Sequence, residues 1–182
     1  PDLTDVILRL EDMPPGYEEL MEAQKEAMIT ALSQMGRLMG SGTSSAIRIK
    51  NATGYWNGDP VNMQMIVSLL ISPLSEAEQA MYDKTVAEPD KLVVPLSRML
   101  GRDAQAELLE GFEDYGESSL GLSVIVSAAG RDVHMDIISA RRGMVVEQIL
   151  TGYVGDQEPM TDVHDIARIL DDRLAQVVRP PA

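Results

Sequence analysis

The sequence predicts an α+β protein, an antiparallel sheet packed by helices on its face or faces. Three observations lead there. Apolar residues recur with a period of two in several short runs, and with a period near 3.6 in separate longer ones. The strand-like runs near the C-terminus are joined by connections too short for a crossover helix, which makes them neighbouring antiparallel strands, a three-strand meander. The order of elements is strand, helix, two strands, helices, three strands, helix, so helices and hairpin-linked strands are segregated along the chain. An N-terminal helix, a middle helical pair and a C-terminal helix then cover the sheet. At 182 residues the chain suits a single α+β domain spanning 1–182.

The elements follow in order. In "TDVILRLEDM" Val6, Leu8 and Leu10 alternate with polar neighbours before Pro14-Pro15-Gly16, which reads as a short strand or an ordered arm. From Tyr17 to Met39, Leu20, Ala27, Met28, Ala31, Leu32, Met35 and Leu38 fall at helical spacing. Glu18, Glu19 and Glu22 favour the positive end, and Gly40 can stop the helix. "SAIRIKNATGYW" and "NMQMIVSLLI" read as a hairpin around Asn57-Gly58-Asp59-Pro60. "SEAE" at Ser75 is a capping box for a helix that runs to about Glu88, ahead of Pro89. A shorter helix follows, with Pro95 in its first turn and Gly101 past its end. Residues 103–113 fit a helix by propensity and a strand by alternation, and the sequence leaves both open. Leu120–Ala128, Val133–Ala140 and Met144–Val154 form the meander, turning at Gly130-Arg131 and Arg142-Gly143. Val163, Ile166, Ile169, Leu170, Leu174 and Val177 give the last helix one apolar face.

Composition narrows the function. Acidic residues outnumber basic ones 29 to 15 for a net charge of -14, a field that repels phosphate backbones and anionic lipid heads, so no nucleic-acid partner is expected. No run approaches the ~18 apolar residues of a transmembrane helix. The absence of cysteine removes disulfides, thiol nucleophiles and thiolate metal sites and leaves the compartment open. With 12 Met and 4% aromatic residues, apolar volume comes from aliphatic and thioether side chains. The chain opens at Pro1 with no signal segment, which suggests a leader removed upstream. The Asn51-Ala52-Thr53 triplet has the form of a glycosylation sequon, but such triplets are common by chance.

Little in the sequence looks like catalysis. "GESSLG" at Gly116–Gly121 has the wrong spacing for a nucleophile elbow, and a triad built on Ser118 or Ser119 would have to recruit His134 or His164, the two histidines present. "GSGTSS" at Gly40–Ser45 follows a helix and leads into a strand, the reverse of a phosphate loop. Asp162, His164 and Asp165, with Asp156 and Glu158 upstream, are candidate ligands for a divalent metal, although carboxylates there are also what an unliganded helix start requires. Glu110, Glu113, Asp114 and Glu117 lack calcium-loop spacing and read as a solvated acidic loop. Adjacent Asp171 and Asp172 read as surface charges. Arg141 and Arg142 stand where a tight turn needs Gly143, exposed and within reach of Glu147 across the hairpin; a partner surface is their expected use.

"SPLSEAEQAMYD", "EPDKL", "GESSLGLSV", "ISARRGMVVEQILTGYVGD" and "DVHDIARILDDRL", together with "LEDMPPGYEEL", make the chain resemble a group of poorly characterised bacterial extracytoplasmic or lipid-anchored proteins. The resemblance implies export to the cell envelope, a leader and a lipidated cysteine ahead of Pro1, and a module that binds or assembles. It carries no catalytic residues. At the level of fold, the architecture also looks like the sandwich of the extrinsic P-type photosystem subunit. Two functions are therefore expected. One is a non-enzymatic binding or assembly module with an unknown protein partner or with itself as a homo-oligomer. The other is a carrier of a small ligand or metal, through a Met-rich apolar pocket or through Asp162, His164 and Asp165. No resident cofactor is expected; a divalent metal is the one these residues leave open.

Overall fold

A computed structural model describes residues 2–38, 49–58, 63–100, 104–128, 130–155 and 159–178. Its centre is a seven-stranded antiparallel sheet in the order β1-β2-β3-β7-β6-β5-β4. The strands are β1 (Tyr17–Glu19), β2 (Ile49–Asn57), β3 (Gln64–Ile71), β4 (Ala104–Leu109), β5 (Ser118–Ala128), β6 (Arg131–Arg142) and β7 (Val145–Val154). Helices α1 (Glu22–Leu38), α2 (Glu76–Ala87) and α3 (Asp90–Leu100) precede β4, and α4 (Val163–Val177) closes the chain. The α+β class, the meander β5-β6-β7 and the four helices are as the sequence predicts.

Helices cover both faces of the sheet. On one face α4 and the N-terminal arm bury Leu3, Val6 and Leu8 with Ile66, Leu70, Ile138, Val145 and Ile149, under Ile166, Leu170 and Leu174. On the other, Leu92 and Leu96 of α3, with Met28 and Ile29 of α1 beside them, cover Val67, Leu69, Leu122, Val124, Ile137 and Leu150. Tyr82 of α2 fills the same side against Leu74 and Val146 and donates a 3.0 Å hydrogen bond to Ser139. Because the central strands β3 and β7 are shielded twice, their two-residue alternation is hidden in near-continuous burial.

Several boundaries move for physical reasons. Thr4–Met13 is the ordered arm and not a strand: its apolar residues pack beneath α4, and a 3-10 turn occupies Leu10–Asp12. Tyr17–Glu19 leaves the predicted helix to pair with Tyr55–Asn57 of β2, so Glu22 alone is the acidic residue in the first turn of α1. Alternation wins over helix propensity at 104–109, where β4 pairs with Gly121–Val126 of β5. Pro95 lies inside α3, not in its first turn, because that helix starts at Asp90. The capping box at Ser75 forms as read: its hydroxyl accepts from the Glu78 amide at 3.3 Å, and the Glu78 carboxylate accepts from the Ser75 amide at 2.7 Å. Gly40–Ser45, Asp59, Pro60 and Gly101 lie outside the described residues.

An arginine clasp holds the arm. Arg173 of α4 donates to the Ile7 carbonyl and to both oxygens of Asp12, at 2.6 to 2.8 Å. Burial pushes the Asp12 carboxyl up, but the Arg173 guanidinium and the Arg9 amide outweigh it and hold the carboxyl below its ordinary value of 3.8.

Candidate functional site

The chain between β4 and β5, "EGFEDYGE", is held by aromatic stacking. Phe112 is buried and lies flat on the His164 ring, centroids 4.0 Å apart and planes 8° apart. The Tyr115 hydroxyl donates to the His164 carbonyl at 3.0 Å. Glycine is required at two points. At Gly116, φ is +62° and a Cβ would stand 2.6 Å from the Arg141 carbonyl oxygen. At Gly121, inside β5, a Cβ would stand 2.7 Å from the Phe112 ring and 2.8 Å from the Leu109 Cβ. The loop is thereby folded over the end of β5 and clamped to the first turn of α4.

A groove of about 550 Å³ opens between this loop, β4 and β5 on one side and the junction of α2 with α3 on the other. Val86, Ala87 and Pro89 form its helical wall. Leu108 and Leu109 give it apolar side chains over the buried Phe112 and Leu120, and Ser118, Ser119 and Gly121 complete the β5 side. Its rim carries Asp83, Glu110, Glu113 and Glu117, and none of the described lining residues is Lys or Arg.

Arg141 stands behind two of these carboxylates. Its Nε and Nη2 donate to Asp83 at 2.8 and 3.0 Å, and its Nη1 donates to Glu117 and to the Gly143 carbonyl, both at 2.9 Å. One guanidinium thus joins α2, the loop and the β6–β7 turn. Arg142 faces the other side of the sheet and donates twice to Asp171 Oδ1, at 3.2 and 2.8 Å, and once to Oδ2, at 2.9 Å. The turn lies at Gly143 as predicted, with φ +57°, but the arginines are not an exposed tip. Arg141 is only 8% exposed, and Asp171 is a partly buried ion-pair partner instead of a free surface charge.

Glu147 does not reach either arginine across the hairpin. It faces α4 beside Val145 and Ile149, opposite Leu70 and Ala140 of the flanking strands. It is 1% exposed, and neither carboxylate oxygen has a hydrogen-bond partner. Burial, and secondarily the Asp171 carboxylate, raise its pKa well above 4.5, against a smaller opposing pull from Arg142.

The three candidate metal ligands are not brought together. Asp162 is the N-cap of α4 and accepts from the His164 amide at 2.9 Å. The His164 ring is stacked on Phe112, and Asp165 is exposed, 3.8 Å from Arg168. Among the described residues no group of three or more His, Asp or Glu side chains could hold a metal ion; Asp156 and Glu158 lie outside them. Asp162, His164 and Asp165 are thus each engaged separately and do not form a metal centre among the described residues. No methionine is among the described residues that line this groove. The Ser119 hydroxyl donates to the Phe112 carbonyl, and no hydrogen bond joins Ser118 or Ser119 to a histidine among the described residues. No helix among the described residues is long and apolar enough to cross a membrane.

The groove itself escapes sequence reasoning because its walls come from residues 83–89, 108–113 and 117–121. The one local signal is Gly121, a glycine inside a strand, which marks a close approach.

No protein-family model and no curated protein matches the chain. Among solved structures it is similar to LpqN, involved in cell envelope biogenesis of Mycobacterium tuberculosis, at 14% identity over 88% of this chain and 78% of that one, with a TM-score of 0.35. It is also similar to the lipid transfer and protein localization domain of human StarD13, at 9% identity over 85% of this chain and 98% of that one, with a TM-score of 0.24. Neither likeness bears on the role of this chain.

Proposed function

We propose that this chain is a non-catalytic binding module of the bacterial cell envelope and that its ligand seat is the groove at the 110–117 loop. The observation that carries the reading is a concavity of about 550 Å³ with an apolar floor, set against carboxylates that fix orientation at its rim. Small-molecule sites have this form and a volume of roughly 300–1,000 Å³. The Ser119 hydroxyl is given to the Phe112 carbonyl, and no hydrogen bond among the described residues joins either serine to a histidine, which supports binding over turnover. The envelope location is supported by the sequence resemblance to extracytoplasmic proteins.

The test is to fill the groove. Ala87 is exposed on its helical wall, so Ala87→Trp should occupy the space without disturbing the core. Native mass spectrometry of protein recovered from its own envelope extract should show added small-molecule mass on the wild type and none on Ala87→Trp. Equal added mass on both proteins, or a bare mass for both, would overturn the reading. So would ester hydrolysis abolished by Ser118→Ala or Ser119→Ala.

A further inference from the structure

We infer that the groove selects small aliphatic amines, ligands with a methylene body and a cationic head; this deepens the proposed function and rests on it. Two independent features set the class. Leu108 and Leu109, laid over the buried Phe112 and Leu120, offer apolar contact, which suits methylene groups. Leu108 is 36% exposed, so a ligand lying on it removes apolar surface from water.

The rim sets the sign of the charge. Four carboxylates line the groove, and among the described residues Arg141 is the cation that pairs with any of them, bridging Asp83 and Glu117 from behind. Glu110 and Glu113 are exposed and form no ion pair among the described residues. The chain as a whole, at -14, adds to the same potential. An anionic amphiphile such as a fatty acid is repelled, a neutral one gains only the floor, and a primary ammonium gains both. The volume favours a small molecule over a peptide segment as the occupant.

Three probes share one eight-carbon body: 1,8-diaminooctane, 1,8-octanediol and octanedioate. Titrated into the protein while the amide shifts of Leu108, Leu109 and Gly121 are followed, the diamine should bind about tenfold more tightly than the diol, the worth of one or two partly screened ion pairs. Octanedioate should not bind. The double variant Glu110→Gln/Glu113→Gln changes only exposed side chains and should reduce the diamine to the level of the diol. Raising salt from about 50 mM to about 500 mM should erase the preference in the wild type.

A diamine that binds no better than the diol, or a preference that survives the double variant, would overturn the inference while leaving the groove a binding site. Failure of all three probes to shift the groove amides would overturn the inference and count against the groove as well. A capped Lys-Leu-Lys-Leu peptide that outbinds the diamine by about tenfold or more would also overturn it and point to a protein partner.

Discussion

Replacing Glu147 by Gln should change how the stability of the protein depends on pH, and replacing it by Met should raise that stability. The wild-type carboxyl sits on β7 under α4, with no partner for either oxygen, and its pKa lies well above the ordinary 4.5. Below the unfolded-state pKa both folded and unfolded chains carry the proton, and the contribution to stability is fully present. Above it the unfolded chain releases a proton that the folded protein keeps, so each pH unit favours unfolding by about 1.4 kcal/mol until pH passes the folded pKa. For a chain of this size that slope is about 3–6 °C in Tm per pH unit. Carboxylates such as Asp12 act in the opposite sense, but wild type and Glu147→Gln share them and they cancel in the difference. Thermal melts from pH 4 to pH 8 should therefore show a Tm gap between the two proteins that widens as pH rises. Met has similar volume and no polar oxygens, so Glu147→Met should stabilise the protein at pH 7 by about 1–3 kcal/mol. Parallel melting profiles, or a destabilised Met variant, would refute the account of Glu147 as a neutral, unpartnered acid.

Three further substitutions probe what holds the fold. Arg173→Ala removes the clasp on Asp12 and Ile7 and should cost about 2 kcal/mol in denaturant titration. Because Asp12 is held below 3.8, its contribution is present above the unfolded-state pKa and is lost as pH falls, so the variant should lose less stability on acidification than the wild type. Leu170→Ala empties a fully buried position at the centre of α4 and should cost about 2–5 kcal/mol, read from the same titration. Gly116→Ala forces a Cβ onto the Arg141 carbonyl at positive φ and should cost about 2 kcal/mol or more, with the largest hydrogen-exchange increase in the 110–117 loop.

Local chemistry was legible and long-range chemistry was not. "SEAE" specifies its capping box because all its partners lie within three residues, and the meander is readable because its turns are short. Strand β4 is undecidable alone, since its alternation acquires meaning only when β5 pairs with it. Arg141 shows the limit best. Its neighbours in sequence suggest an exposed turn, whereas its carboxylate partners are 58 residues away on α2 and 24 residues away at the end of the loop. Glu147 was misread for the same reason: spacing along β7 places it near two arginines, but only the docking of α4 shows which face is covered. His164, read as a ligand candidate, is an aromatic platform because Phe112 folds onto it.

The Arg173 clasp ties together residues 161 positions apart, and β3 meets β7 across a separation of roughly the same order as a small domain. Contacts so distant in sequence must await the chain between them, and they slow folding because long loops close before any contact rewards them. While the protein is being made, Leu3, Val6 and Leu8 have no roof until α4 emerges. Until α4 is made, that face of the sheet lacks its cover, and a chain so uncovered can still be threaded through a narrow pore.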